Sequence, residues 1–253
     1  MITNLASITT RDKAILMGLF LSRFDNLALE SFGFTGFRQA YNVLGLSIGV
    51  KPNSINNYRD EFDPYFPNKR KGWRNRNLRD YCKEYMDATA DMSFDEFYNA
   101  IKYFLDGGII EDKDIVKERR KVSRGFMANR LITGKAAEEY FVMNYQGIDV
   151  FHDFAIQDTT QMGCGFDFKL TLAQKHFYVE VKGINEKTGS VLMTEKEHSV
   201  ADDLRDLYCL FVVSNFRETP EHHIFFNPLY IPQLEFKRQE QIITRISYSA
   251  KML

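Results

Sequence analysis

Asp167, Glu180 and Lys182 carry the strongest chemical signal in the chain. They lie in GCGFDFKLTLAQKHFYVEVKG, residues 163–183, where residue types alternate with the period of two of a strand. The alternation puts Tyr178, Glu180, Lys182 and Ile184 on one face of a strand and Phe177, Val179 and Val181 on the other. On the preceding strand Phe166, Phe168 and Leu170 share one face, opposite Gly165, Asp167 and Lys169. A hairpin symmetric about Ala173-Gln174 sets Asp167 directly across from Glu180. Two facing carboxylates among apolar neighbours repel and destabilise a sheet. A divalent cation between them removes the conflict, and oxygen ligands suit Mg²⁺, with Mn²⁺ able to substitute. The expected ligands are Asp167, Glu180 and the Val181 carbonyl, with Lys182 on the same face beside the metal. A cation so held polarises a phosphodiester and lowers the pKa of bound water. A neighbouring lysine orients or deprotonates that water and stabilises developing charge. Direct attack by water, leaving 5′-phosphate and 3′-hydroxyl, is the expected reaction.

The elements that must position these residues follow from periodicity. Ile132–Tyr145 has the spacing of an amphipathic helix. Strand-like runs follow at 150–156, 163–170, 177–184 and 207–215, with a helical stretch at 195–206 before the last. The first three strands are close enough in sequence for an antiparallel meander. The fourth, YCLFVVS (208–214), is almost continuously apolar, as in a strand buried on both faces and reached by a helical crossover. The expected fold is an α/β core, a mixed sheet flanked by helices.

The first third reads as helical. Helices are predicted over 11–24, capped by Thr10 or Asp12, over 37–48, over a short segment from Asn53 or Ser54, and over 93–105 with a Ser93–Glu96 capping box. Gly49-Val50-Lys51-Pro52 is a tight turn between the second and third, the layout of a helix-turn-helix. With Ile55, Tyr58 and Phe62 packed inward, Asn53, Asn56, Asn57 and Arg59 face out, and such side chains match base edges in the major groove. Between residues 64 and 83, Lys69, Arg70, Lys71, Arg74, Arg76, Arg79 and Lys83 face a single acid, Asp80, with Trp73 among them. This reads as a phosphate-tracking stripe or as a solvated loop.

The net charge of −1 conceals the asymmetry: residues 1–130 hold 21 Lys+Arg against 17 Asp+Glu, and residues 131–253 hold 12 against 17. Three well-separated cysteines argue against disulfides and zinc. No apolar run nears the roughly 18 residues of a membrane span, and the N-terminus lacks a signal-peptide pattern. A cytoplasmic protein without a membrane partner is expected. The predicted organisation is a helical DNA-binding domain at 1–110, a charged connector at 111–130 and an α/β domain at 131–253. In the connector, Arg119, Arg120, Lys121 and Arg124 either touch phosphate or only solvate a helix.

Asp167 followed by Glu180-Val181-Lys182 in an apolar strand resembles the PD-(D/E)XK nuclease superfamily, which includes Mrr-like enzymes, many restriction endonucleases and resolvases, over about residues 130–216. The resemblance implies a glutamate at the metal or its water from the preceding helix, Glu138 or its neighbour Glu139. Thr194-x-x-Glu197 resembles the subfamily related to the plant NO VEIN carboxy-terminal domain, so Thr194 and Glu197 are auxiliary candidates. One departure is Phe166-Asp167 in place of a Pro-Asp pair. Residues 50–66 with the following RKGW are similar to a module preceding nuclease or ATPase parts in bacterial restriction systems. Together these imply a Mg²⁺-dependent, site-specific endonuclease of a bacterial restriction system, acting on double-stranded DNA. Cutting both strands is simplest for a homodimer. The alternatives are a structure-specific repair or junction nuclease and a DNA-binding regulator with an inactive nuclease domain.

Overall fold

In the computed structural model the first helix, α1 (Thr10–Phe32), buries every residue from Ala14 to Ser22. A helix enclosed on all sides must be apolar all round, and AILMGLFLS is. Thr9, rather than Thr10 or Asp12, is the N-cap, with Asp12 closing a capping box. The helix does not stop at Phe24; its backbone breaks at Asp25 (φ 48°, ψ −123°) and then resumes. The structure describes residues 8–70, 72, 75–105 and 121–240, the last stretch without the side chains of 121–128.

α2 (Phe37–Ser47) and α3 (Pro52–Phe62) are joined by the predicted turn, with Gly49 at φ 71° and Pro52 in the first turn of α3. Lys51 is the N-cap, so neither Asn53 nor Ser54 is. α3 crosses α1 at Gly18, where a Cβ would stand 2.5 Å from Tyr58 Cβ and 2.8 Å from the Arg59 nitrogen. α4 (Asp80–Ala88) is a further helix that periodicity did not reveal. α5 (Phe94–Leu105) begins with the expected reciprocal bonds between Ser93 and Glu96. It presses Phe94 and Phe97 against Phe20 and Phe24 of α1, with ring centroids 5.1–6.0 Å apart.

α6 (Lys121–Asn144) starts earlier than the predicted helix, so residues 121–130 of the expected connector are its first turns. Arg119 and Arg120 and the side chains of Lys121 and Arg124 fall outside the described residues. The sheet comprises β1 (Ala155–Asp158), β2 (Phe168–Leu172), β3 (Lys175–Gly183), β4 (Tyr208–Ser214) and β5 (Glu221–Phe226), in spatial order 1-2-3-4-5. β3 and β4 are parallel and all other neighbours antiparallel, with α7 (Glu195–Leu204) in the crossover. β4 is buried along its whole length, as its composition requires.

Two strands start later than the sequence reading has them, and one strand is new. Residues 149–151 form a 3₁₀ turn, which removes the front of the first expected strand. Gly163 and Gly165 take positive φ, so β2 begins only at Phe168. β5 was not foreseen, because adjacent His222 and His223 obscure its alternation. α6 covers one sheet face, packing Phe141 on Phe168 and Phe211. It also packs on α2, and Asn42 of α2 donates to the Phe216 carbonyl beyond β4, so helices and sheet share one buried core. No described helix is long and apolar enough to cross a membrane.

Candidate active site

The hairpin register places the acids. Phe168 pairs with Val179 and Leu172 with Lys175; Asp167, one residue before, also bonds Val179, so it stands beside Glu180 rather than paired one-to-one with it. Asp167 lies just before β2 yet stays in the ladder: its N–H donates to the Val179 carbonyl (2.9 Å) and its Oδ2 accepts from the Val181 N–H (2.8 Å). Thr159, itself buried, fixes the Asp167 carbonyl through its N–H (2.8 Å) and hydroxyl (3.0 Å). The N–H and C=O of a strand residue point to the same edge, so the Val181 carbonyl faces the edge where Asp167 stands.

Glu180 is buried at 3% exposure. Lys182, two residues on and on the same face, donates to Glu180 Oε1 (2.5 Å) and to Glu197 Oε2 (2.9 Å). Glu197 arrives through the capping box of α7, in which Thr194 and Glu197 bond reciprocally. Glu197, an auxiliary candidate in the sequence, thus touches Lys182 directly. Burial, reinforced by the Asp167 charge, pushes the Glu180 carboxyl up to about 8. Burial also raises Asp167. Burial opposes the charge on Lys182, but Glu180 and Glu197 outweigh it and hold the ammonium above its ordinary value. Burial likewise opposes the Glu197 charge, and the Lys182 and Thr194 hydrogen bonds reverse the effect.

Glu138 and Glu139 are separated by the geometry of α6. Burial and then the charges of Asp167 and Asp158 push Glu138 up to about 7. Asp167 does not act on Glu139, whose Oε2 instead lies 3.7 Å from where a Cβ on Gly49 would be. Glu138 therefore couples to both Asp167 and Asp158, and Glu139 to Asp158. α6 can sit close to β3 because Gly183 has no side chain; a Cβ there would come within 2.8 Å of the Thr133 carbonyl and 3.2 Å of Ala137 Cβ. Asp158, at the end of β1, was not singled out by sequence, since the expected strand-like run stops at 156.

The cluster therefore gathers Glu138, Asp158, Asp167, Glu180 and Glu197 around Lys182, with Lys135 acting on Glu138. Among the described residues no three His, Cys, Asp or Glu side chains already form a metal-holding group. An ion here would rest on Asp167 and Glu180 with the Val181 carbonyl, all oxygen donors, and the excess of acid in the cluster fits such a charge.

The expected DNA-reading residues fare differently. Asn53 is exposed and Asn56 and Asn57 are partly buried. Arg59 does not face out: its guanidinium, 12% exposed, bonds Tyr41 and lies 2.5 Å from Asp60 and 3.3 Å from Asp63. Arg70 is equally committed, donating to both Asp63 oxygens at 2.8 Å and pairing with Asp25. Arg76 and Arg79 both grip Glu61, at 2.5 Å each. Much of the basic stripe is thus spent on buried acids. Lys69 is exposed, and Lys71, Trp73 and Arg74 lie outside the described residues.

No curated protein and no solved structure matches the chain. Residues 137–225, about a third of the chain and spanning Glu138, Asp167, Glu180, Lys182 and Glu197, match the family model described as Protein NO VEIN, C-terminal, a domain associated with PD-(D/E)XK-like nucleases.

Proposed function

We propose that the chain is a Mg²⁺-dependent DNA endonuclease of a bacterial restriction system, hydrolysing phosphodiesters to 5′-phosphate and 3′-hydroxyl ends. The observation that carries this reading is the closeness of partly buried Asp167 to buried Glu180, with Lys182 bonded to Glu180 on the same face of β3. The family match over the same residues supports it. Asp167, Glu180 and the Val181 carbonyl would hold the cation. Bound there, it would neutralise the surplus acid, polarise the phosphodiester and lower the pKa of its water. Lys182, held between Glu180 and Glu197, presents its ammonium where negative charge develops on the phosphate. Glu138 approaches from α6 to orient the attacking water. Two copies about a two-fold axis would address both strands.

One observation favours a second reading. Because Arg59, Arg70, Arg76 and Arg79 are paired internally, α3 and the stripe offer less charge to duplex DNA than the sequence promised, which suits a nuclease guided by DNA structure. Digestion of methylated and unmethylated plasmid with Mg²⁺, followed by sequencing of the ends, separates the two. Defined ends support restriction; ends set by junctions or flaps support the second reading. Absence of cleavage, or cutting undiminished by Lys182→Ala, refutes both.

A further inference from the structure

A cavity of about 440 Å³ lies where the helices meet the sheet, formed by α2, the start of α3 and the loop between β4 and β5. Its volume is in the range of small-ligand sites, roughly 300–1,000 Å³. Tyr41, Pro52 and Pro220 give it flat apolar surface, and Asn42, Asn53 and Asn56 give it amides. Asn42 is the most informative of these. It is only 5% exposed, and its Nδ2 donates to the Phe216 carbonyl (2.8 Å) and the Glu218 carbonyl (2.9 Å). Those bonds fix the amide's orientation and leave Oδ1 without a donor among the described residues. That oxygen is not among the buried unpartnered side-chain atoms, so it is open to solvent and can accept from an N–H group placed in the cavity. Asn53 makes no side-chain hydrogen bond among the described residues, and Asn56 has one of 3.4 Å to Asp60. Flat walls, a waiting acceptor and amides able both to give and accept match the edge of a heteroaromatic base with an exocyclic amine.

We propose that this cavity takes one amine-bearing nucleobase turned out of the DNA stack. The proposal rests on the reading of the chain as a DNA nuclease. It relocates the part played by Asn53 and Asn56, from a groove-reading face to the wall of a pocket. Extrusion costs unstacking energy, which the pocket's hydrogen bonds and stacking offset. Lys51, exposed just before Pro52, stands where the flanking phosphates would pass. A free nucleotide offers the same ring and is the alternative source.

The test uses the full chain with EDTA, so that nothing is cut. Duplexes carrying 2-aminopurine at successive positions are titrated with protein, and 2′-deoxyadenosine 5′-monophosphate is titrated separately by calorimetry. The expected result is a severalfold, saturable rise in 2-aminopurine fluorescence at one position. Thr219→Trp, which fills the cavity from an exposed loop, should abolish the rise and weaken binding about tenfold, the effect of one or two lost contacts; its melting curve reports folding. Asn53→Ala gives a second, milder loss. Nucleotide binding without any duplex response, blocked by Thr219→Trp, overturns the DNA source and leaves a nucleotide pocket. No response from either ligand, or a response indifferent to Thr219→Trp, overturns the proposal. If Mg²⁺-dependent cleavage persists in that case, the nuclease reading stands without it.

Discussion

Two regions of this molecule bury acids, and they solve the problem in opposite ways. In the helical half, Glu61 and Asp63 are almost wholly buried, and Asp25, Asp60, Glu61 and Asp63 meet Arg59, Arg70, Arg76 and Arg79, four acids against four arginines. Ser22 adds a 2.7 Å hydrogen bond to Asp63. Every charge has a partner, and the network clamps α1, α3 and the segment after it. In the sheet, buried Glu180 and partly buried Asp167 and Glu138 meet Lys182, held between Glu180 and Glu197, with Lys135 acting on Glu138 from the side. A balanced buried cluster is structure. An unbalanced one is paid for by folding energy elsewhere and is where chemistry is found.

The sharpest break of this comparison is by substitution of the unbalanced acids. Asp167→Asn and Glu180→Gln should each cut Mg²⁺-supported DNA cleavage by about a hundredfold or more without lowering the melting temperature. Unchanged cleavage in both would place the chemistry elsewhere.

Removing Asp63 should do the reverse. Asp63→Ala leaves Arg59 with Asp60 and Arg70 with Asp25 but removes the acid that both share and the acceptor of Ser22, and should cost about 1–3 kcal/mol in urea unfolding. A loss below about 1 kcal/mol would show that the clamp is not what holds the helices. Gly183→Ala should cost about 1–3 kcal/mol and also depress cleavage, because it levers α6, and with it Glu138, off β3. Stability that falls while cleavage is kept would detach Glu138 from the mechanism.

The smallest effect, and the most direct contrast, is in pH. Burial would raise the Glu61 carboxyl, but the Arg79 and Arg76 hydrogen bonds outweigh it and hold it below the usual value. A lowered carboxylate stabilises the fold above its unfolded pKa, and that stability is lost as pH falls through the folded one. Glu138 and Glu180 are raised, to about 7 and about 8. Their contribution is full below the unfolded value near 4.5 and is lost as pH climbs through 7 and 8. Metal-free protein should therefore melt progressively lower from pH 5 to 8.5, with Glu180→Gln flattening the slope, and Mg²⁺ should restore the alkaline side. A slope unaffected by either would mean that the sheet cluster is not charged in this range.

The sequence by itself determined what depends on local period. Alternation over 177–184 and the two-residue turn at Ala173-Gln174 specified the hairpin register from Phe168–Val179 to Leu172–Lys175, which brings Asp167 beside Glu180; that Asp167 also bonds the Val179 carbonyl was not legible. A single-residue slip would have turned Glu180 and Lys182 to the other face, so this information is dense in the residues themselves. The Ser93–Glu96 cap and the Gly49–Pro52 turn were legible for the same reason. Tertiary structure decided everything that depends on distant partners. Arg70 meets Asp25 across 45 positions and Ser22 meets Asp63 across 41, so a stripe that reads as free positive charge is internal mortar. Which of Glu138 and Glu139 couples to Asp167 depends on how α6 rolls over Gly183, a contact between residues some fifty positions apart. Periodicity reports which face is apolar; only packing decides which charge lies opposite which.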